Sequence, residues 1–247
     1  MIGIKSLKAD MTAHGGFKYP KRGRVEALDW NEKPKCGGGI HFLRPGDNNP
    51  GKWHGEKFIA LDTLDSPVVA LDGKAKCRYA KVLRVADSMA DLCVWLQERG
   101  HNGPWFLGVA TSGYGGTSTS GDYGTSTSGN GGTSTSGNGG TSTSGDRGTS
   151  TSGYRGTSTS GDWGTSTSGN WGTSTSGDYG TSTSGYGGTS TSGNRGRASA
   201  GMWGRITIQY YDGPRYRWAS AEVDGDRIKP NVLYRVNNNG EFEEVEA

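Results

Sequence analysis

From Gly108 to Gly204 one octapeptide recurs without a gap, and any fold proposed for this chain has to accommodate it. Its perfect form is Gly-Thr-Ser-Thr-Ser-Gly followed by two variable residues. Ten perfect copies begin at Gly116 and recur every eight residues to Gly188. Degenerate copies flank them: Gly108-Val-Ala-Thr-Ser-Gly113 before, and Gly196-Arg-Ala-Ser-Ala-Gly201 and Gly204-Arg-Ile-Thr-Ile-Gln209 after. Gly/Ser/Thr composition by itself suits a disordered linker, because it buries too little apolar surface to offset chain entropy. Linkers drift in spacing, however, and these glycines hold one register, which is the mark of a repeat architecture. Thr-Ser-Thr-Ser then reads as a short strand and Gly-x-x-Gly as a tight corner. Asn, Asp and Gly in the variable pairs suit corners that need left-handed backbone angles.

Strand alternation puts both threonines of a repeat on one face and both serines on the other. In the degenerate copy Arg197 stands at the first Thr place, while Ala198 and Ala200 stand at the Ser places. Arg does not fit a narrow interior, so Thr is expected outside and Ser inside, with Ile206 and Ile208 on inward positions near a hydrophobic cap. Two octads per coil give 16-residue turns, about six coils spaced ~4.8 Å apart. That stacking aligns Arg147, Trp163, Tyr179 and Arg195 at one corner, and Tyr123, Arg155, Trp171 and Trp203 at the other. Such rows can stack and make cation–π contacts of ~0.5–1 kcal/mol each at exposed sites, holding the coils in register.

The chain as a whole reads as mostly β: residues 1–107 a small α+β domain, 108–204 the solenoid and 205–247 a β-rich cap. Only 30% of the 247 residues are hydrophobic and the formal charge is +3. The positive excess lies in residues 1–107, is small and dispersed, and does not argue for nucleic acid. No stretch approaches a membrane span, and Met-Ile-Gly-Ile-Lys-Ser-Leu-Lys lacks the apolar run of a signal peptide. Three cysteines, an odd count, suggest reduced thiols, so a cytoplasmic location is expected.

Within residues 1–107, apolar runs at Ile2–Leu7, Gly39–Leu43, Lys57–Leu61, Pro67–Leu71 and Arg78–Val85 predict strands. A helix is predicted from Ser88 to Arg99, with Ser88 and Asp91 resembling a capping box, Met89, Leu92, Val94, Trp95 and Leu96 apolar, and Gly100 as the stop. Trp105, Phe106, Leu107 and Val109 are expected to seal this domain against the first coil. In the cap, Arg205–Tyr211 and Tyr216–Val223 alternate as strands, and Val232–Val236 and Glu241–Val245 can pair around Asn238-Asn239-Gly240. Cys36, His41, His54 and Cys77 are the residues from which a metal or catalytic site could be assembled. Zinc favours paired spacing such as Cys-x-x-Cys, which is missing here, and a Cys–His nucleophile pair lacks a third orienting group. Buried structural roles are expected instead, with no cofactor, no metal and no enzymatic constellation.

Cys36-Gly-Gly-Gly-Ile-His-Phe42, Gly55–Leu61, Ser66-Pro-Val-Val-Ala-Leu-Asp72 and Gly73-Lys-Ala-Lys-Cys-Arg-Tyr79 resemble the C-terminal region of rIIB-like phage rapid-lysis proteins. The sequence departs from that pattern at Ile40, where Leu is usual, and no Cys follows Phe42. The resemblance implies a phage or prophage origin and no established chemistry. Ile228-Lys-Pro-Asn-Val-Leu-Tyr-Arg-Val236 with Gly240-Glu-Phe-Glu-Glu-Val245 looks like the tail of phage proteins bearing small-residue repeats. Gly113-Tyr-Gly-Gly-Thr-Ser-Thr-Ser-Gly121 is similar to the repeats of bacterial ice nucleation proteins.

Three functions follow as expectations. A non-enzymatic accessory protein would use the solenoid as a rod for an unidentified protein partner, one encoded by the host and tied to defence or lysis control. It would dock on Arg147, Arg155, Trp163, Trp171, Tyr179 and Arg195, residue types common among interface anchors. An ice-binding protein would instead present Thr-x-Thr rows, Thr141, Thr143, Thr157, Thr159, Thr173 and Thr175 among them. A virion spacer would need an oligomer seam, and no hydrophobic seam is visible.

Overall fold

The computed structural model describes residues 1–13, 15–47, 55–101, 103–105 and 108–245. The chain divides into two compact units, Met1–Val109 and Ala110–Ala247.

In the first unit, strands β1 (Ile2–Leu7), β2 (Gly23–Glu26), β3 (Ile40–Phe42), β4 (Lys57–Asp62), β5 (Val68–Leu71), β6 (Lys74–Cys77) and β7 (Tyr79–Ala86) precede helix α1 (Met89–Gln97). They form an antiparallel four-stranded sheet, β1-β4-β7-β2, and a smaller one, β3-β6-β5. Alternation along β4 sends Ile59 and Leu61 to one face of the larger sheet and Ala60 to the other. On the first face they meet Leu7, Phe42, Cys77 and Val82. On the second, Ala60 and Ile4 meet Leu92, Cys93, Leu96 and Trp105. The sequence reading missed β2 and β6, whose Lys and Arg residues mask their period. Ser88 caps the helix by accepting the Asp91 N–H at 3.0 Å. Cys93 takes the buried place on the helix, and Val94, expected among the apolar positions, is 50% exposed. Trp105 belongs to this core, while Phe106 and Leu107 lie outside the described residues.

A β-solenoid of about six turns spans residues 109–208, all but the first of these residues in the second unit. Strands of alternate octads pair in parallel at a separation of 16 residues, as in Thr141↔Thr157↔Thr173 and Ser150↔Ser166↔Ser182. Two sheets result, each of eight strands including cap strands. Ser126, Ser142, Ser158 and Ser174 have no exposed surface, whereas each repeat's threonines are exposed or half-buried. Thr therefore faces out and Ser in.

The two sheets meet across a core too thin for larger side chains. A Cβ on Gly148 would lie 2.7 Å from the Ser144 Cβ and 2.9 Å from the Gly132 carbonyl oxygen. Inner hydroxyls cross between the sheets: Ser142 Oγ donates to the Ser134 carbonyl at 2.7 Å, and Ser174 Oγ to the Ser166 carbonyl at 2.7 Å. Others, including Ser144, Ser152, Ser158 and Ser166, have no hydrogen-bond partner for Oγ.

The core becomes hydrophobic where the repeat degenerates. Ala198, Ala200, Ile206 and Ile208 replace serines and pack on Val223, Ile228 and Tyr234 of the cap. Here the pairing turns antiparallel. Tyr216–Glu222 adds to Arg205–Tyr211 to end one sheet, and Tyr234–Val236 followed by Phe242–Glu244 ends the other.

Candidate functional site

The corners carry nearly all the variation between repeats, and each place in a variable pair has its own task. The first place builds a hydrogen-bond ladder. Asp146 Oδ1 accepts the Asp162 N–H at 3.1 Å, Asp162 Oδ1 that of Asp178 at 2.8 Å, and Asp178 Oδ1 that of Asn194 at 2.7 Å. On the other edge Asp122 and Asn138 accept from Asn138 and Tyr154, and Asn170 from Tyr186. Each side chain thus satisfies a backbone donor one coil further on. The sequence reading took Asn and Asp as providers of left-handed backbone and missed this role. Its signal was their recurrence at the first place with a 16-residue period.

The second place takes the left-handed conformation. Gly115, Gly131, Gly139 and Gly187 occupy it at φ 62° to 68°. So do Tyr123, Arg147, Arg155, Trp163, Trp171, Tyr179, Arg195 and Trp203, at φ 54° to 62°. For side chains with a Cβ this costs roughly 1–2 kcal/mol per residue. Glycine serves at four equivalent corners without that cost, so the bulky residues are not required by the turn.

On the first edge, successive coils present Arg147, Trp163, Tyr179 and Arg195. The Trp163 and Tyr179 rings stack with centroids 4.3 Å apart and planes 2° from parallel. Arg195 Nη1 donates to the Tyr179 hydroxyl at 3.0 Å, and its guanidinium carbon lies 5.7 Å from the ring centroid. Trp163 remains 60% exposed. The Arg147 backbone N–H donates to the Asp162 carbonyl at 2.8 Å, while its guanidinium makes no hydrogen bond, ion pair or ring contact among the described residues.

The second edge is organised differently. Arg155 lies over the ring of its chain neighbour Tyr154 at 5.3 Å, and Trp171 meets Tyr186 edge-on at 5.6 Å. The rings of Tyr123 and Trp171 cover the next coil's glycines, where a Cβ on Gly139 or Gly187 would fall 2.7 Å from the ring. The six candidate anchors therefore divide between two edges. Arg147, Trp163, Tyr179 and Arg195 share one, and Arg155 and Trp171 share the other.

The alternative candidates, Thr141, Thr143, Thr157, Thr159, Thr173 and Thr175, all fall on one face. In-register pairing sets them in two parallel rows. The opposite face carries equivalent rows, such as Thr149↔Thr165 and Thr151↔Thr167.

In the first unit, Cys36 is exposed while Cys77 is fully buried, its thiol pushed up to about 12 by burial. A thiol so raised is a poor nucleophile and metal ligand. His41 is held neutral, its pKa lowered to about 4 by burial and by the neighbouring Lys5, Lys74 and Lys76. His54 lies outside the described residues. Among the described residues no group of three or more His, Cys, Asp or Glu could hold a metal, and no helix is long and apolar enough to cross a membrane. Lys76, which the sequence reading did not single out, is fully buried. Its ammonium donates to Asn31 Oδ1 at 3.2 Å and to the Lys35 and Gly37 carbonyls at 3.1 and 3.0 Å, pinning the loop before β3.

No family model, curated protein or solved structure matches this chain.

Proposed function

We propose that the protein is a non-enzymatic accessory protein whose solenoid is a rigid rod for binding another protein, with the Arg147–Trp163–Tyr179–Arg195 edge as its main contact surface. The supporting observation is the left-handed backbone beneath exposed Arg, Trp and Tyr, at places where glycine serves other coils of the same array. Strain of that kind is held at functional sites when the surrounding fold over-determines it. Stacking of ~0.5–1.5 kcal/mol offsets part of it at Trp163 and Tyr179. Arg147 receives no such return within the described residues. The phage-type resemblance of the first unit makes a host-encoded protein the expected partner.

The test replaces the edge with the residue already used at Gly115 and Gly131, as Arg147→Gly, Trp163→Gly, Tyr179→Gly and Arg195→Gly together. The wild type is expected to retain a specific host protein in affinity capture, and the variant to lose it while keeping its stability within about 2 kcal/mol, since strain relief and lost stacking oppose each other. Collapse of the fold with no change in the proteins captured would assign the edge to coil register alone.

A second reading is favoured by the in-register threonine rows. Threonines ~7 Å apart along a strand and ~4.8 Å apart between strands form a regular hydroxyl and methyl grid suited to ordering water. Ice crystals shaped by the wild type and left unshaped by Thr157→Lys/Thr159→Lys would select this reading. Identical growth with both proteins would remove it.

A further inference from the structure

At the end of the same edge the solenoid and the cap enclose a groove of about 610 Å³. Its walls include Arg195 from the corner, Arg197 from the outward face of strand Arg197–Ala200, and Arg235 from the cap. Among the described residues Glu243 is the one carboxylate on this lining. It already accepts from Arg235 Nε at 3.0 Å and from Asn237 Nδ2 at 3.0 Å. Arg195 donates to the Tyr179 hydroxyl. The Arg197 guanidinium has no hydrogen-bond or ion-pair partner among the described residues, and it stands where every perfect repeat has Thr. Two guanidiniums, Arg195 and Arg197, therefore line a surface groove in which no described carboxylate pairs with either.

Toward the other end of the edge, a smaller groove is lined by Asp146, Asp162, Arg147 and Trp163. The edge thus runs from a groove of mixed charge, Asp146 and Asp162 beside Arg147, through a stacked aromatic pair, to a basic groove. Such an order fixes the direction in which a complementary chain can lie.

We infer that the Arg195–Arg197–Arg235 groove anchors the carboxylates of an acidic protein segment whose apolar or aromatic residue lies on Trp163 and Tyr179. This rests on the binding-rod reading and adds the partner's chemistry and direction. Guanidinium groups match carboxylates in two-pronged geometry, which gives orientation as well as affinity.

Fluorescence anisotropy at low salt tests it with a labelled twelve-residue peptide carrying one central Trp and three Glu at one end. Two controls accompany it: the Glu→Gln peptide and a twelve-nucleotide oligothymidylate. Arg197 is exposed, so Arg197→Ala and Arg197→Glu are expected to leave the melting midpoint unchanged. Both are expected to weaken binding of the acidic peptide, by about tenfold or more for Arg197→Glu. The Gln peptide is expected to bind the wild type as poorly as the acidic peptide binds Arg197→Glu. Equal binding by wild type and both Arg197 variants overturns the proposal, as does no binding to the wild type at millimolar peptide. Oligothymidylate binding as tightly as the acidic peptide and failing in the same variants also overturns it, in favour of a general polyanion surface. Trp163→Gly/Tyr179→Gly separates the two readings. Loss there with Arg197 indifferent keeps the rod and removes the groove, and the reverse keeps the groove and removes the aromatic edge.

Discussion

Serine makes this core possible and also limits its stability. It is small enough for two sheets separated by little more than their own backbones, yet it brings a hydroxyl that must find a partner or remain unpaired at ~1–3 kcal/mol. Ser142 donates across to the Ser134 carbonyl, whereas the Ser158 hydroxyl is fully buried without a partner. Ser142→Ala is therefore expected to cost about 1 kcal/mol, and Ser158→Ala to be neutral or to gain up to about 1 kcal/mol. Ala198 and Ala200 already make that exchange in the last coil. Ser158→Val overfills the space and should cost about 1–3 kcal/mol, while outward Thr157→Val should change stability by less than ~0.5 kcal/mol. Chemical denaturation of the four single variants checks the ranking, and equal costs for Ser158→Val and Thr157→Val would contradict the inward assignment of serine.

A coil is fixed by its corners as well as its strands. Three or four residues of ladder pairing hold each strand, and the Asp and Asn side chains extend that pairing through the turn by one bond per coil. Asp162 links coils on both sides: its N–H donates to Asp146 and its carboxylate accepts from Asp178. Asp162→Ala removes the second bond and should lower stability by about 0.5–1.5 kcal/mol. Asp162→Asn keeps an acceptor and should hold close to wild type. Hydrogen exchange gives a local reading: in Asp162→Ala the Asp178 amide is expected to lose protection, with Thr157 and Thr173 amides little changed.

At the scale of the whole molecule, the two units differ in how they answer to pH. The solenoid buries hydroxyls, which do not titrate in the working range. The first unit buries ionisable groups. Lys5, largely buried and donating to the His41 carbonyl at 2.8 Å, is lowered to about 8 by burial and by Lys74. His41 is lowered to about 4. Both are bases whose folded state holds fewer protons than the unfolded state, so stability rises with pH across each window. The first unit is expected to lose stability as pH falls from about 6.5 toward 4, where the unfolded His41 takes up a proton first. Lys5 contributes a gain as pH rises from about 8 toward 10.5, where its folded form is already neutral, and above about 9 this is opposed by buried Cys77, whose folded thiol keeps its proton while the unfolded thiol loses it. Thermal unfolding of the full chain across this range, repeated with Lys5→Met, checks it. Between pH 8 and 10.5 the wild type is expected to gain stability relative to Lys5→Met, and a pH-independent difference between the two would show that Lys5 keeps its charge at no cost.

Much of the solenoid was legible in the sequence because repetition converts a three-dimensional relation into arithmetic. A period of eight sets strand and corner, a coil of two octads sets which threonines stand in one row, and strand alternation sets which side chains face in. A single Arg at a Thr place and two Ala at Ser places in residues 197–200 were enough to orient the faces, since a guanidinium cannot enter a core that admits only serine. The first unit was harder to read. β2 and β6 are short and rich in Lys and Arg, and Lys76 is buried because two backbone carbonyls and one amide oxygen reach it from a distant loop. The ranking along the corners also lay outside the sequence. Spacing placed Trp163, Tyr179 and Arg195 in one row, but ring planes decide whether a neighbour is stacked upon or a glycine covered. Likewise Arg195, Arg197 and Arg235 have no sequence pattern in common, and only the cap folding back on the last coil makes a groove of them. What the sequence determined by itself is everything that follows from period and parity. What the tertiary structure decided is which atoms meet across a coil or a sheet, because those contacts depend on side-chain direction and on segments far apart in the chain.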